Sequence, residues 1–91
     1  MTSKKEILDI REIFSQNLRF YRIKANISQE KLGEVVGLSD KYISDLERQL
    51  YDPSLKTMDS IAKALNIDTY LLLKYDEAHK DVPNRIWKTQ D

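Results

Sequence analysis

The amino-acid sequence predicts an all-α fold, and three observations support this class. Only two Gly and two Pro interrupt the 91 residues. The remaining composition is rich in Leu, Ile, Lys and Glu, which favour helices over strands. Apolar side chains recur at intervals of three and four residues, which is the spacing of one helical face. A chain of this length is expected to form one domain with a modest core.

The first helix is predicted over residues 6–25. Its apolar side chains share one face because they are three or four residues apart: Ile10, Ile13, Phe14, Leu18 and Tyr21. We interpret residues 1–13 as an N-terminal extension of this helix and residues 14–75 as the folded domain.

The second helix is predicted to begin after Ser28, because a serine hydroxyl at this position accepts a backbone N–H bond. Glu30 would lie in the first turn, where the helix dipole favours an anion. Gly37 is the expected end, since glycine adopts the left-handed conformation without a steric penalty. The apolar residues between them are Leu32, Val35 and Val36.

Ser39 and Asp40 offer a new cap almost at once, and they predict a third helix. Two short helices joined by a turn of three to four residues have the plan of a helix-turn-helix motif, here over residues 28–48. Gly33 lies inside the second helix, where glycine costs about 1 kcal/mol relative to alanine. We therefore expect the third helix to approach the second closely at Gly33, along a seam of four side chains: Leu32, Leu38, Ile43 and Leu46.

Two further helices follow a turn at residues 51–54. Ser54 is the expected cap of the fourth helix, whose inner face is Met58, Ile61, Ala62 and Leu65. Residues 69–75 are predicted to form a short fifth helix.

The last segment, residues 76–91, is polar and contains a proline. We expect a loosely ordered tail in which His79 is a surface side chain. Ile86 and Trp87 are its apolar anchors.

The composition argues against several classes of function. Fifteen Lys plus Arg balance fifteen Asp plus Glu, so bulk charge gives no indication of a nucleic-acid partner. The absence of Cys excludes disulfides and thiolate metal sites. We see neither a long apolar run nor a secretion signal, which predicts a cytoplasmic protein with no membrane span. The single His lacks metal-ligand spacing and no phosphate-binding loop occurs, so we expect neither an enzyme nor a cofactor.

The helix-turn-helix lies within a longer stretch that resembles the Cro/repressor-like (XRE-type) family of bacterial and phage regulators. The resemblance covers residues 14–73 and rests on these segments: F-S-Q-N-L-R-F-Y-R, Ser28-Gln29, Gly33, Gly37, Y-I-S-D-L-E-R, Pro53-Ser54, I-A-K-A-L and Leu72-Leu73. It implies a five-helix bundle, the lambda-repressor-like DNA-binding domain, which binds double-stranded operator DNA as a homodimer. Gln49 departs from the glycine that is common in the family, and Asp40 and Asp45 make the third helix unusually acidic.

The third helix is then the recognition helix, and its N-terminal residues would meet base edges in the major groove. Lys41 can donate to guanine O6 or N7. Asp40 either accepts a hydrogen bond from cytosine N4 or holds Lys41 in place. The resemblance adds a phosphate contact from Gln29, which would also brace the recognition helix, and phosphate or base contacts from Ser39, Tyr42 and Ser44.

Other side chains receive supporting roles. Phosphate contacts that position the protein are expected from Asn17, Arg19 and Lys56. The resemblance also implies that Arg22 and Glu47 form an ion pair between the first and third helices. Tyr42 either contacts DNA or packs on Gln29 as a surface aromatic, and Arg48 either caps the third helix or touches a phosphate.

The fifth helix is predicted to carry the dimer interface. Leu72 and Leu73 match core positions of the family. Leu71 and Tyr75 lie four residues apart and share the opposite face, with Tyr70 beside them. Such an apolar cluster is explained by pairing across a two-fold axis, or by Ile86 and Trp87 folding back over it.

A protein-binding module on the same fold, such as an antitoxin or an adaptor, is the rival function. The neutral net charge and the acidic recognition helix favour this rival. It is compatible with the fold, since a fold does not guarantee its usual function.

Overall fold

The computed structural model describes residues 8–83, which form four α-helices and two short 3-10 helices. The α-helices are α1 (Ile10–Lys24), α2 (Gln29–Val36), α3 (Asp40–Glu47) and α4 (Leu55–Leu65). The first 3-10 helix is Thr69–Leu73 and the second is Glu77–His79. No strand occurs among these residues, which confirms the all-α class.

Each α-helix begins at a side chain that caps it. The caps are Asp9, Ser28, Ser39 and Ser54, and each accepts a bond from a backbone N–H two or three residues further on. These bonds satisfy donors that the first turn of a helix leaves unpaired. The three serines are the caps expected from the sequence.

All four α-helices end in the same Schellman motif, in which a left-handed residue precedes an apolar one. The left-handed residues are Asn26, Gly37, Gln49 and Asn66, with φ angles of 59°, 76°, 66° and 59°. The apolar residues that follow them are Ile27, Leu38, Leu50 and Ile67. Each of these donates its N–H to the carbonyl five residues back, as Leu50 does to Asp45 at 2.9 Å. Of the four, only Leu50 is largely exposed.

The core lies between the four α-helices and the first 3-10 helix. Its buried apolar side chains are Phe14, Leu18, Leu32, Ile43, Leu46, Met58, Ile61, Ala62, Leu65 and Leu72. The most extensive packing is between α2 and α3, and α1 contacts both α3 and the first 3-10 helix. Burial of a large apolar side chain contributes about 1.5–3 kcal/mol to the stability of the fold. Because Ile43 and Leu46 of α3 are among these side chains, the core fixes the orientation of α3.

The first helix is shorter than the sequence predicted. It starts at Ile10, because Asp9 is extended and its carboxylate accepts the N–H of Arg11 at 2.8 Å. Ile10 was expected on the buried face, yet it is 54% exposed. Residues 8–9 are therefore not helical, contrary to the prediction of a helix that starts at residue 6. Residues 1–7 lie outside the described part.

The predicted fifth helix is a 3-10 helix, with three residues per turn instead of 3.6. The change of period alters which side chains share a face. Leu72 is fully buried as expected, whereas Leu73 is 37% exposed and is not a core residue. Leu71 is half-buried, and Tyr70 and Tyr75 are exposed.

The expected loose tail is wrong for residues 76–83. His79 is buried there, and its ring stacks on Phe20 of α1 with centroids 3.7 Å apart. The second 3-10 helix carries this histidine and is capped by Asp76, whose carboxylate accepts the N–H of Ala78. Residues 84–91, with Ile86 and Trp87, lie outside the described part.

Candidate nucleic-acid interface

The angle between α2 and α3 is set by two glycines. A Cβ atom at Gly33 would lie only 2.6 Å from the carbonyl oxygen of Leu38, so no other residue fits without movement of the backbone. Gly37 has a φ of 76°, which the turn requires and which glycine adopts freely. The contact at Gly33 confirms the close approach expected from the sequence, and the φ of Gly37 confirms the expected turn. They place α3 across α2 in a helix-turn-helix.

One face of α3 is free of contacts with the other helices. Ile43 and Leu46 point into the core, while the outer face carries Asp40, Lys41, Ser44 and Arg48. Lys41 is prominent there, with 79% of its side chain exposed. Ser39 begins this face, and its hydroxyl is committed to the cap by accepting the N–H of Tyr42 at 3.0 Å. The outer face therefore offers cationic donors and a hydroxyl in one row along a helix.

Asp45 lies beneath this face and binds two of its cations. Its side chain is only 4% exposed, with Oδ2 3.1 Å from Nζ of Lys41 and Oδ1 3.3 Å from Nη1 of Arg48. From the sequence, Asp45 stands out only as an unusual acidic residue. The spacing of Lys41 and Arg48, four residues before and three after, was a signal for this pairing.

Glu47 holds the C-terminal end of α3 against α1 and α2. Nε of Arg22 donates to Oε2 of Glu47 at 2.6 Å and Nη2 donates to Oε1 at 3.1 Å, so the expected ion pair is present and buried. Gln29 donates to Oε1 of the same carboxylate at 3.0 Å, which braces α3 from the start of α2. Arg19 donates to the Glu47 carbonyl at 3.0 Å. Three side chains from two helices thus hold the end of α3.

Asn17 does not belong to this surface, and its expected phosphate contact is wrong. The residue is 1% exposed, and its Nδ2 donates to the carbonyl oxygens of Leu72 and Lys74, both at 2.9 Å. Both amide protons are therefore used inside the protein, where a phosphate has no access.

Tyr42 packs on a partner that the sequence did not indicate. Its ring stacks on Tyr51, with centroids 5.8 Å apart and planes 27° apart. Tyr51 belongs to the loop between α3 and α4, and the neighbouring Asp52 is held by Arg11 at 3.2 Å. Lys56 is exposed in the first turn of α4, the helix that follows this loop in the chain.

Two negative findings apply to residues 8–83. None of their helices has the length and apolarity that a membrane crossing requires. Their His, Asp and Glu side chains form no group of three that could hold a metal ion.

Comparison with known proteins agrees with this geometry. The helix-turn-helix family model HTH_3 matches residues 18–72. Control protein C.SmaI of Serratia marcescens is 44% identical over 66 residues, which is 72% of this chain and 79% of that protein. The structure of the hypothetical transcription factor NHTF from Neisseria has a TM-score of 0.73 at 30% identity, covering 85% of this chain and 92% of its own. The P22 c2 repressor, solved with a synthetic operator, has a TM-score of 0.64 at 35% identity, covering 69% and 96%.

Proposed function

This chain belongs to the HTH_3 helix-turn-helix family, which consists of DNA-binding transcription regulators and not of enzymes, and we propose that it binds an inverted-repeat operator as a homodimer. The observation that carries this proposal is the outer face of α3. Lys41, Ser44 and Arg48 stand there on a helix that is fixed to the core by Ile43 and Leu46. A helix held in this way can enter the major groove as a rigid element.

The proposed contacts follow from where each side chain stands. Lys41 donates to guanine O6 or N7, and Asp40 beside it accepts from cytosine N4. Phosphate contacts come from Gln29, Arg48, Lys56 and the exposed part of Arg19, while Ser39, Tyr42 and Ser44 contact a phosphate or a base. Such contacts position the protein, and the base contacts supply the sequence preference.

A dimer is proposed because one helix-turn-helix reads only a few base pairs. Two copies about 34 Å apart double the site and give it two-fold symmetry. An apolar cluster suited to this pairing surrounds the first 3-10 helix, where Tyr70, Leu73 and Tyr75 are exposed and Leu71 is half-buried. The similarity to the P22 c2 repressor, which was solved with a synthetic operator, supports the DNA partner.

Selection of bound duplexes from a random pool tests the proposal directly. We expect the enriched sequences to share an inverted repeat whose half-sites are one helical turn apart, about 10 base pairs centre to centre. Sedimentation of the protein with the selected duplex should show two chains per duplex.

Two results would contradict this function. If one chain binds a single unpaired half-site, the proposed dimer is contradicted and the regulator acts as a monomer. A pool that shows no enrichment, with the same weak affinity for every duplex, would favour a protein-binding module on this fold.

A further inference from the structure

Asp45 is an acidic side chain placed where acidic side chains are rarely found. Its carboxylate is nearly withdrawn from water, although it belongs to the helix whose outer face is proposed to meet DNA. Removing a carboxylate from water is unfavourable unless cations and hydrogen bonds replace the lost hydration. Lys41 and Arg48 supply that replacement, one at each carboxylate oxygen.

The position of the carboxylate is itself fixed. The backbone carbonyl of Asp45 accepts the N–H of Arg48 at 3.2 Å and that of Leu50 at 2.9 Å, so the residue is part of the motif that ends α3. A buried side chain on a fixed backbone holds its two oxygens in one place. The exposed ends of Lys41 and Arg48 are therefore tethered to a rigid point.

The tether leaves most of the donors of both cations free. An ammonium has three N–H donors and a guanidinium has five. Lys41 uses one donor on Asp45, which leaves two for the acceptors O6 and N7 of a guanine. Lys41 can therefore bind a base without leaving Asp45.

The same pairing also changes the charge that DNA would meet. The outer face carries Lys41 and Arg48 against Asp40, and Asp45 beneath it brings the sum to zero. Attraction to phosphate, which acts on every sequence alike, grows with the number of uncompensated cations. Asp45 thus weakens the part of binding that carries no sequence information.

From these observations we propose that Asp45 is a positioning residue that determines specificity: it holds Lys41 and Arg48 in place for the operator and lowers their attraction for other DNA. The inference rests on the proposed DNA-binding function and extends it to a residue that does not itself touch DNA. It predicts a change in discrimination and not only in affinity.

The test compares the wild-type chain with Asp45→Asn on the selected operator and on a random-sequence duplex. Asparagine has the same shape and leaves no buried charge unpaired. We expect tighter binding to random DNA, a salt dependence steeper by about one unit of slope, and an operator-to-random affinity ratio lowered roughly tenfold. In the Lys41→Gln background, the same change should lower the ratio less, because only Arg48 is then left for Asp45 to hold.

Asp59→Asn is the matched control, because Asp59 also pairs with a lysine four residues away, Lys63, at 2.8 Å on α4. It should leave the ratio unchanged. If both variants lower the ratio equally, or if Asp45→Asn leaves it unchanged while the wild type selects an operator, the inference is overturned. If the wild type selects no operator at all, the proposed function fails instead.

Thermal melting establishes first that Asp45→Asn is folded. If it is not, nuclear magnetic resonance of the wild-type chain decides, since the contact with Asp45 should make the end of the Lys41 side chain more ordered than that of the exposed Lys56. Equal mobility of the two side chains would overturn the tether.

Discussion

The Nδ1 atom of His79 lies 2.7 Å from Oδ1 of Asn17, and this contact joins the second 3-10 helix to α1. Because the amide nitrogen of Asn17 donates to two carbonyls, its oxygen is the atom that faces His79. The histidine must then donate from Nδ1. Its ring also lies flat on Phe20 and edge-on to Tyr21 at 5.3 Å. The histidine therefore links the segment beyond the first 3-10 helix to the core.

Acidification is predicted to weaken this link. Burial lowers the pKa of His79 from its ordinary value of 6.5, with Lys24 and Lys74 acting in the same direction and Asp76 opposing them. The unfolded chain then binds the proton more readily than the folded one, so stability is complete above about pH 6.5 and falls as the pH drops below it. The free energy of unfolding should decrease between about pH 7 and about pH 5.

His79→Phe is the matched variant, because it keeps a ring on Phe20 and cannot titrate. Denaturant unfolding of both proteins across this range isolates the histidine. We expect a flatter pH dependence in the variant. Equal slopes in the two proteins would show that another group is responsible.

Glu47 is predicted to contribute to the stability of the fold and not to direct contact with DNA. Glu47→Ala leaves Arg22 buried without its carboxylate, and breaking a buried pair in this way costs about 3–5 kcal/mol. Glu34→Ala is the control, since its pair with Lys31 is exposed and should contribute about 0–1 kcal/mol. Thermal melting measures both. A Glu47→Ala protein that melts like the wild type but no longer binds DNA would place Glu47 in the interface.

Local signals predicted the parts of the fold that depend on near neighbours. Ser28, Ser39 and Ser54 could be predicted as caps because a cap acts within three residues. Gly33 indicated a close helix contact because glycine inside a helix is otherwise unfavourable. The burial of His79 was not visible, since its partner Asn17 is 62 positions away and a polar tail gives no periodic pattern. Leu73 was misplaced for another reason. Its place in the core was expected from the family resemblance, whereas the segment is a 3-10 helix that leaves this side chain 37% exposed.

Gln49 is predicted to be a strained residue at the end of the recognition helix. It has a φ of 66°, in the left-handed region that favours glycine and tolerates asparagine. The other three helix ends have Asn26, Gly37 and Asn66 at this position. Gln49→Gly should therefore stabilise the protein by roughly 0.5–1 kcal/mol, after the greater freedom of glycine in the unfolded chain is allowed for.

Urea unfolding measures this effect through a higher midpoint at an unchanged slope. Gln49→Asn should fall between the wild type and Gln49→Gly. The reverse order would mean that Gln49 makes a favourable contact that outweighs its backbone conformation.

Lys41 is predicted to read a base and not merely to attract phosphate. Lys41→Ala should weaken operator binding by about 1–3 kcal/mol and relax the preference at one base pair per half-site. Lys56→Ala is the control, because the proposed phosphate contact from α4 should weaken all duplexes alike. Competition binding on the operator and on single-base variants separates the two. A uniform loss for Lys41→Ala on every duplex would reassign it to the DNA backbone.

The last prediction concerns the proposed dimer surface around the first 3-10 helix. In a 3-10 helix, side chains three residues apart are aligned, so Tyr70 and Leu73 share an edge while Leu71 is turned partly inward. Tyr70 is 63% exposed, and a glutamate there would place a charge in the proposed apolar interface without disturbing the core. We expect Tyr70→Glu to be folded, monomeric in sedimentation and much weaker on the operator. Leu71→Glu should also be monomeric, but less stable because Leu71 is half-buried.

Val35→Glu on α2 is the control for adding a charge at an exposed apolar position, and it should remain a dimer. A chain that ends at Pro83 keeps His79 in place and tests the remaining segment. It should also remain dimeric. A dimeric Tyr70→Glu protein would contradict this surface, and a monomeric chain ending at Pro83 would assign dimerisation to residues 84–91 instead.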